Sequence, residues 1–408
     1  MSRKIDRYDL DAETSATAHD GSECRGTDNE AEQQSQKQGN KIMRATTTYF
    51  AFSAALLAAL PFAAQSQEIP DNLKGSGEVV ITSGGGTWEA AQKKAFFDPF
   101  SRDTGIKVVL VPEDQAKLLA SAKLGQPEAD ITSIEGGQLS SWVAKDAVED
   151  MDYSFFAKTT LASIPEKLKN KNGVGALLYS LVVAYNTKKF PEDGKHPKNW
   201  VDFYNVKEFP GKRSLPKCEK IVGGGLLEGA LMGAGVPANE VYPIDMDRAF
   251  AKVAELKPYV GRWWVAGADA PQSLIDGEVD VAAAYNGRIF GAKAQGAPLA
   301  LSWEQSLLQY DYWVIVKGSP NRENAAKFLA YVSRPEPQAS FAEAISYGPV
   351  NNEAFKLVPE EMLDVLPGAP ELAKKQVFQD YDWWNKKGAD GRTNYDVALE
   401  RCVALLSQ

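Results

Sequence analysis

In the stretch "ITSGGGTW", Ile81 to Trp88, three consecutive glycines follow an apolar run and precede a threonine and a tryptophan. Gly84, Gly85 and Gly86 can take backbone angles closed to other residues, which turns N–H groups toward a ligand while Thr87 and Trp88 project beside it. The bland alternative is a strand-to-helix turn with Thr87 as the helix cap. A dinucleotide is excluded as the ligand, because its fingerprint needs Gly-x-Gly-x-x-Gly and Glu89 stands where the third glycine belongs.

Catalytic patterns are absent as well. "PGKR" (210–213) lacks the upstream glycine and the Ser/Thr of a phosphate loop. Beyond His19 the only histidine is His196, in the polar turn "DGKHPKN", so no histidine pair can ligate zinc and a Ser-His-Asp relay would rest on one loop residue. There is no Cys-x-x-Cys, and nothing marks any two carboxylates as a catalytic pair. The glycines of "GGGLLEGALMGAG" at 225, 229 and 233 have helical spacing, which suits close helix packing. These patterns favour binding over catalysis, with no cofactor, no catalytic residue and no metal site expected.

The elements that must position such a site alternate along the chain. "GEVVITS", "IKVVLVP" and "ADITSIE" read as strands, and "WEAAQKKAFFDPFSRDTG", "DQAKLLASAKLG" and "GGQLSSWVAKDAV" as the helices between and after them. Further strands are "GALLYSLVVAYNT", "EVDVAAAYNG", "APLALSW" and "YDYWVIVKG", followed by the helix "NRENAAKFLAYVSRP" and a closing amphipathic helix "DVALERCVALLS". Repeated strand–helix–strand units with short continuous apolar strands predict an α/β architecture with mainly parallel sheet.

Before this pattern begins, "MRATTTYFAFSAALLAALPFAAQSQ" has one arginine, an apolar run and small residues around Ala64, which is the layout of a secretory signal peptide over residues 43–66. The preceding residues 1–42 carry nine acidic and six basic side chains and no tryptophan, and are expected to be a disordered leader or a mis-called start. A formal net charge of -9 argues against nucleic acid and anionic membrane as partners. Outside the leader only Cys218 and Cys402 remain, either as one disulfide between distant segments or as two buried thiols.

The order of five segments then becomes specific. An early "GTWEAAQKKAFFDPFSRDTGIKVV", then "VVAYNTKKF" with "NWVDFYN" and "FPGKRSL", and late "LIDGEVDVAAAYNGRIF" and "DYWVIVKGSPNRENAAKFLAYVSRP" resemble the extracellular solute-binding proteins of ABC importers. Within them the chain is most similar to the branch that takes up spermidine, putrescine and related amines, and the resemblance covers residues 78 to 360. It implies a two-lobed periplasmic-binding-protein fold of type II with ligand in the interlobe cleft. Lobe 1 would be 78–184 plus 303–334, and lobe 2 185–302 plus 335–408. The crossings would fall at "SLVVAYN", "LALSW" and "VSRPEP". A periplasmic, monomeric receptor is implied, with an inner-membrane permease and a small amine-bearing solute as partners and hinge closure around the solute.

The resemblance also distributes roles. Gly85, Gly86, Thr87 and Trp88 would line the cleft rim, with Ser133 and Glu135 of "TSIEGG" in the matching place and Tyr179 on the strand before the first crossing. "AAAYNGR" places Tyr285 in the cleft with Arg288 three residues on, Asp311 of "YDYW" matches an acidic position, and "GRWWVAGAD" adds Trp263 or Trp264, and Asp269. Ring faces plus a carboxylate suit an alkylammonium, and a guanidinium suits a carboxylate. Gly223 to Gly225 stand about where polyamine binders carry an acidic pair. An ω-amino acid such as γ-aminobutyrate therefore ranks ahead of a polyamine. A ferric-iron receptor, which needs clustered tyrosines, and an enzyme on a two-lobed fold are the alternatives.

Overall fold

The computed structural model describes residues 69–407, so the expected leader and signal peptide lie outside the described residues. Eight of the ten strands among the described residues carry the fold, the other two being two-residue pieces, Lys169–Asn170 and Val377–Phe378: β1 Glu78–Ser83, β2 Lys107–Pro112, β3 Ile131–Glu135, β4 Gly173–Asn186, β5 Arg213–Pro216, β6 Val260–Trp264, β7 Val281–Tyr285 and β8 Leu299–Ile315. They form one sheet in the order β2-β1-β3-β8-β4-β7-β5-β6. Pairing is parallel at β2/β1/β3 and at β7/β5/β6, and antiparallel where β8 and β4 join the two sets. Each half is thus a small parallel sheet flanked by helices, the two-lobed α/β fold expected.

The two long strands hold the halves together, and every residue of β4 but the last is buried. Up to Leu181 of β4 the partner on β8 is Leu307, yet Val183 pairs with Ser302, so Trp303–Ser306 leave the ladder. The polar Glu304-Gln305-Ser306 that splits two apolar runs in the sequence is this bulge, and "APLALSW" and "YDYWVIVKG" belong to one strand. Gln305 has φ +60° and is gripped from the second half, where the Trp200 indole donates to its carbonyl at 3.0 Å.

Two main apolar cores follow from this arrangement. The first runs through Phe96, Tyr179, Leu308 and Phe328, the second through Leu181, Trp264, Ala283 and Leu307. The boundary therefore falls between Tyr179 and Leu181 on β4, and between Leu307 and Leu308 on β8. On the C-terminal side the packing departs from the expected division. Residues 335–350 are expected with the second lobe, but Phe341 stacks on Phe96 at 4.8 Å and Val350 lies in the first core. "VSRPEP" is accordingly no crossing. It is the turn between the helices Arg322–Val332 and Pro335–Ile345, and Pro335 starts the second of these at a position where a missing N–H costs nothing. Further on, Val377–Phe378 pairs with Leu307 and Leu308 at the boundary, Val377 packing on the second core and Phe378 on the first, and the chain leaves Tyr381 of the first core to enter the second at Trp384.

Local packing explains the remaining motifs. Helix α1 (Gly86–Gln92) continues through a π-helical segment, Lys93–Phe97, into α2 (Asp98–Thr104), so one predicted helix is three joined pieces. Helix α3 is Gln115–Lys123 and α4 Leu139–Ala144. The glycine ladder lies in a helix, Leu226–Gly233, where a Cβ at 229 or 233 would meet Trp200 or Tyr204 at 2.9 and 2.3 Å. Arg213 of "PGKR" is fully buried and donates to the carbonyls of Phe203, Gly211 and Phe209, a structural clamp. Cys218 and Cys402 form a disulfide that ties the turn Cys218–Lys220 to the last helix, Asn394–Leu406.

Candidate ligand-binding site

A cavity of about 370 Å³ opens beyond the C-terminal ends of β1, β2, β3 and β7, the usual ligand position in open α/β sheets. Strand pairing supplies its acidic wall. Glu135, the last residue of β3, is the register partner of Asp311 on β8, which sets two carboxylates side by side. Glu113, just after β2, adds a third. Burial pushes the Asp311 carboxyl well above the ordinary carboxylate range, and Glu135 and Glu113 push it further, while a hydrogen bond from Tyr179 pulls the other way. Its Oδ1 is buried without a hydrogen-bond partner. An orphaned acceptor of this kind costs about 1–3 kcal/mol unless something satisfies it.

Aromatic rings form the sides. Tyr179 and Tyr285 meet edge to face at 5.6 Å, and Trp88 meets Tyr347 at 5.7 Å and Phe341 at 5.5 Å. The "YNG" of the seventh strand has a separate task for each residue. Tyr285 lines the cavity, the fully buried Asn286 accepts from the Ser180 N–H on the crossing strand at 2.8 Å, and Gly287 leaves room for Tyr347. A Cβ at 287 would lie 2.9 Å from the Tyr347 ring.

Cations come from the second half. Arg288 sits in the first turn of the helix Asn286–Ala294, and no salt bridge engages it among the described residues. A helix N-terminus reinforces a guanidinium in attracting an anion. Lys220 extends from the disulfide-tethered turn and donates to Glu135 at 2.8 Å. Among the described residues no group of three His, Cys, Asp or Glu side chains is arranged to hold a metal ion.

The family model described as bacterial extracellular solute-binding protein matches residues 95–364, well over half of the chain. This chain belongs to that family. A γ-aminobutyric acid-binding protein of Pseudomonas aeruginosa is 37% identical over 357 residues, spanning 86% of this chain and 97% of the relative. A spermidine/putrescine-binding periplasmic protein of Haemophilus influenzae is 25% identical, spanning 72% of this chain and 82% of its own. The crystal structure of an ABC transporter substrate-binding protein from Bradyrhizobium japonicum superposes with a TM-score of 0.73 at 34% identity, covering 81% of this chain and 99% of that one.

In this solute-binding protein the cavity gathers Thr87, Trp88, Glu135, Tyr179, Tyr285, Arg288 and Asp311 of the residues named from sequence. Five others lie outside its lining. Gly85 and Gly86 have φ of +72° and +60° and shape the turn, leaving Gly84 to face the cavity. Only these two of the three glycines have positive φ, and no side chain caps the helix there, so Thr87 is not the cap. Ser133 stands one pleat repeat behind Glu135, away from the strand end. Trp264 is fully buried, donates to the Ala283 carbonyl, and backs the Tyr285 ring at 5.5 Å. Asp269 accepts from the Val265 and Ala266 N–H groups of its own turn.

Sequence reasoning missed Glu113, Lys220 and Tyr347. Glu113 was within reach, because the strand-end argument applied to β1 and β3 applies equally to β2. Lys220 and Tyr347 carried no comparable signal, since each sits in a turn whose position depends on tertiary packing.

Proposed function

We propose that this solute-binding protein is the periplasmic, monomeric receptor of an ABC importer for a small ω-amino acid, γ-aminobutyrate being the leading candidate, and that it works by binding without catalysis. The separation of charge across the cavity carries the reading. Glu135, Asp311 and Glu113 project from the first half, while Arg288 projects from the second. The ammonium would take the orphaned Asp311 Oδ1 and the ring faces of Tyr179 and Tyr285, and the carboxylate would take Arg288. The small cavity, near the lower end of the ~300–1,000 Å³ range of ligand sites, suits a short solute. The γ-aminobutyric acid-binding relative supports the same choice. Closure of the halves around the solute would present the surface that an inner-membrane permease recognises.

The trio of carboxylates gives a diamine such as putrescine some support as a second reading, and the cations oppose it. Calorimetric titration decides between them. Asp311→Ala should abolish binding of any amine. Arg288→Ala should weaken an amino acid by about 10- to 100-fold, the worth of a charged hydrogen bond, yet spare or improve a diamine. Unchanged affinity in both variants would sink the assignment of the pocket.

A further inference from the structure

Beside the ligand cavity lies a second one of about 480 Å³, lined by Ser140, Ser141, Tyr381, Trp384 and Asn385 among others. The two cavities share two lining residues, Glu135 and Lys220, which are joined by the 2.8 Å ion pair. Both partners of that pair are firmly mounted. Glu135 caps the turn Gly136–Gln138 in a reciprocal box with Gln138, so its backbone and its carboxylate are both held. Lys220 ends the turn that begins at the disulfide-bonded Cys218. Gly223 closes the space beside the pair, because a Cβ there would sit 3.3 Å from Glu135 Oε2 and 3.2 Å from the Tyr285 hydroxyl, which donates to the Gly223 carbonyl.

Resting on the reading of the first cavity as an ω-amino-acid site, we propose that the Glu135–Lys220 ion pair is a partition that sets the longest solute the receptor accepts. A four-carbon chain fits on one side of it. A longer linear amine has to part the pair and extend into the neighbouring space, where hydroxyl and amide groups of Ser140, Ser141 and Asn385 and the rings of Tyr381 and Trp384 can receive it. Removing the lysine side chain would join the two spaces and more than double the room. The pair is partly exposed on both sides, so its Coulomb energy alone is modest, and its effect is steric and geometric.

The test compares chain-length profiles by calorimetry for the wild type, Lys220→Ala and Lys220→Arg. The probes are 4-aminobutyrate, 5-aminopentanoate and 6-aminohexanoate, with putrescine and spermidine as a parallel amine series. In the wild type affinity should fall steeply with length. In Lys220→Ala the gap between the shortest and longest members should shrink by about tenfold or more, and Lys220→Arg, which can still pair with Glu135, should keep the wild-type slope. A Lys220→Ala profile parallel to that of the wild type overturns the partition, whatever happens to absolute affinity, because it would make Lys220 an ordinary ligand contact. If the amino acids fail to bind and the amines bind, the functional reading falls while the slope comparison in the amine series still judges the partition. Thermal unfolding of each variant confirms that it is folded.

Discussion

Asp311 concentrates the chemistry of the site in one side chain. Its carboxyl is raised by burial and by its acidic neighbours in the empty protein, and an ammonium placed on it would lower it again. The sign of the resulting pH dependence follows. Affinity for an amine is full above the raised value and is lost as pH falls through it, so the loss should begin well above the ordinary carboxylate range near 4. Titrations from mildly alkaline pH downward should show a fall in affinity of about tenfold or more that Asp311→Asn, already weak, does not share. The opposite sign holds for the empty protein. A carboxyl raised on folding costs stability as pH rises through its folded value, so Asp311→Asn should melt higher than the wild type at neutral pH. Asp311 and Arg288 were legible in the sequence through the resemblance, whose motifs cover "YDYW" and "AAAYNGR", although Asp311 lies inside its strand and not at the end of it. Lys220 was not, because its role depends on Glu135, 85 positions away, and on a disulfide that spacing alone could not assign.

At the level of elements, the "YNG" junction between the seventh strand and its helix is the sharpest instrument. Gly287→Ala sets two effects against each other. Alanine favours a helix by up to about 1 kcal/mol, less in a first turn, while its Cβ crowds the Tyr347 ring at a cost of about 1–3 kcal/mol if nothing moves. Tyr347 borders the open cavity and can swing, so the melting temperature should hardly change while affinity drops by about tenfold. Unaltered calorimetric affinity would mean that the tyrosine contributes no contact. The strands of the first half were readable because each is a short apolar run ended by a turn residue. The bulge in the longest strand was misread as a gap between two strands, since periodicity registers the polar Glu304-Gln305-Ser306 but not the backbone that carries on through it.

For the molecule as a whole, the α/β architecture was visible in the alternation of elements and its two lobes in the family resemblance, and the path of the chain's last third was in neither. The crossing that the resemblance implies at "VSRPEP" is the start of a helix, and which core receives that helix is decided by Phe341 finding Phe96. The disulfide is the other long-range decision. Cys218 and Cys402 are 184 residues apart, and removing a bond that closes so long a loop typically costs about 2–5 kcal/mol. Reduction or the double Cys→Ala variant should lower the urea midpoint accordingly, and limited proteolysis should then cut first in the helix Asn394–Leu406. Lastly, the four residues that leave the ladder at Trp303–Ser306 put a soft spot in the sheet where the two halves meet, the longest interruption in the pairing of its two long strands. Bending concentrated there has a fulcrum, and travel grows with distance from it. Tyr285 pairs with Leu181 at that step and rides a short lever arm, whereas Trp88, carried beyond β1 two strands away from β8, rides a long one. A guest should therefore be greeted first by stationary furniture and only afterwards by the swinging door.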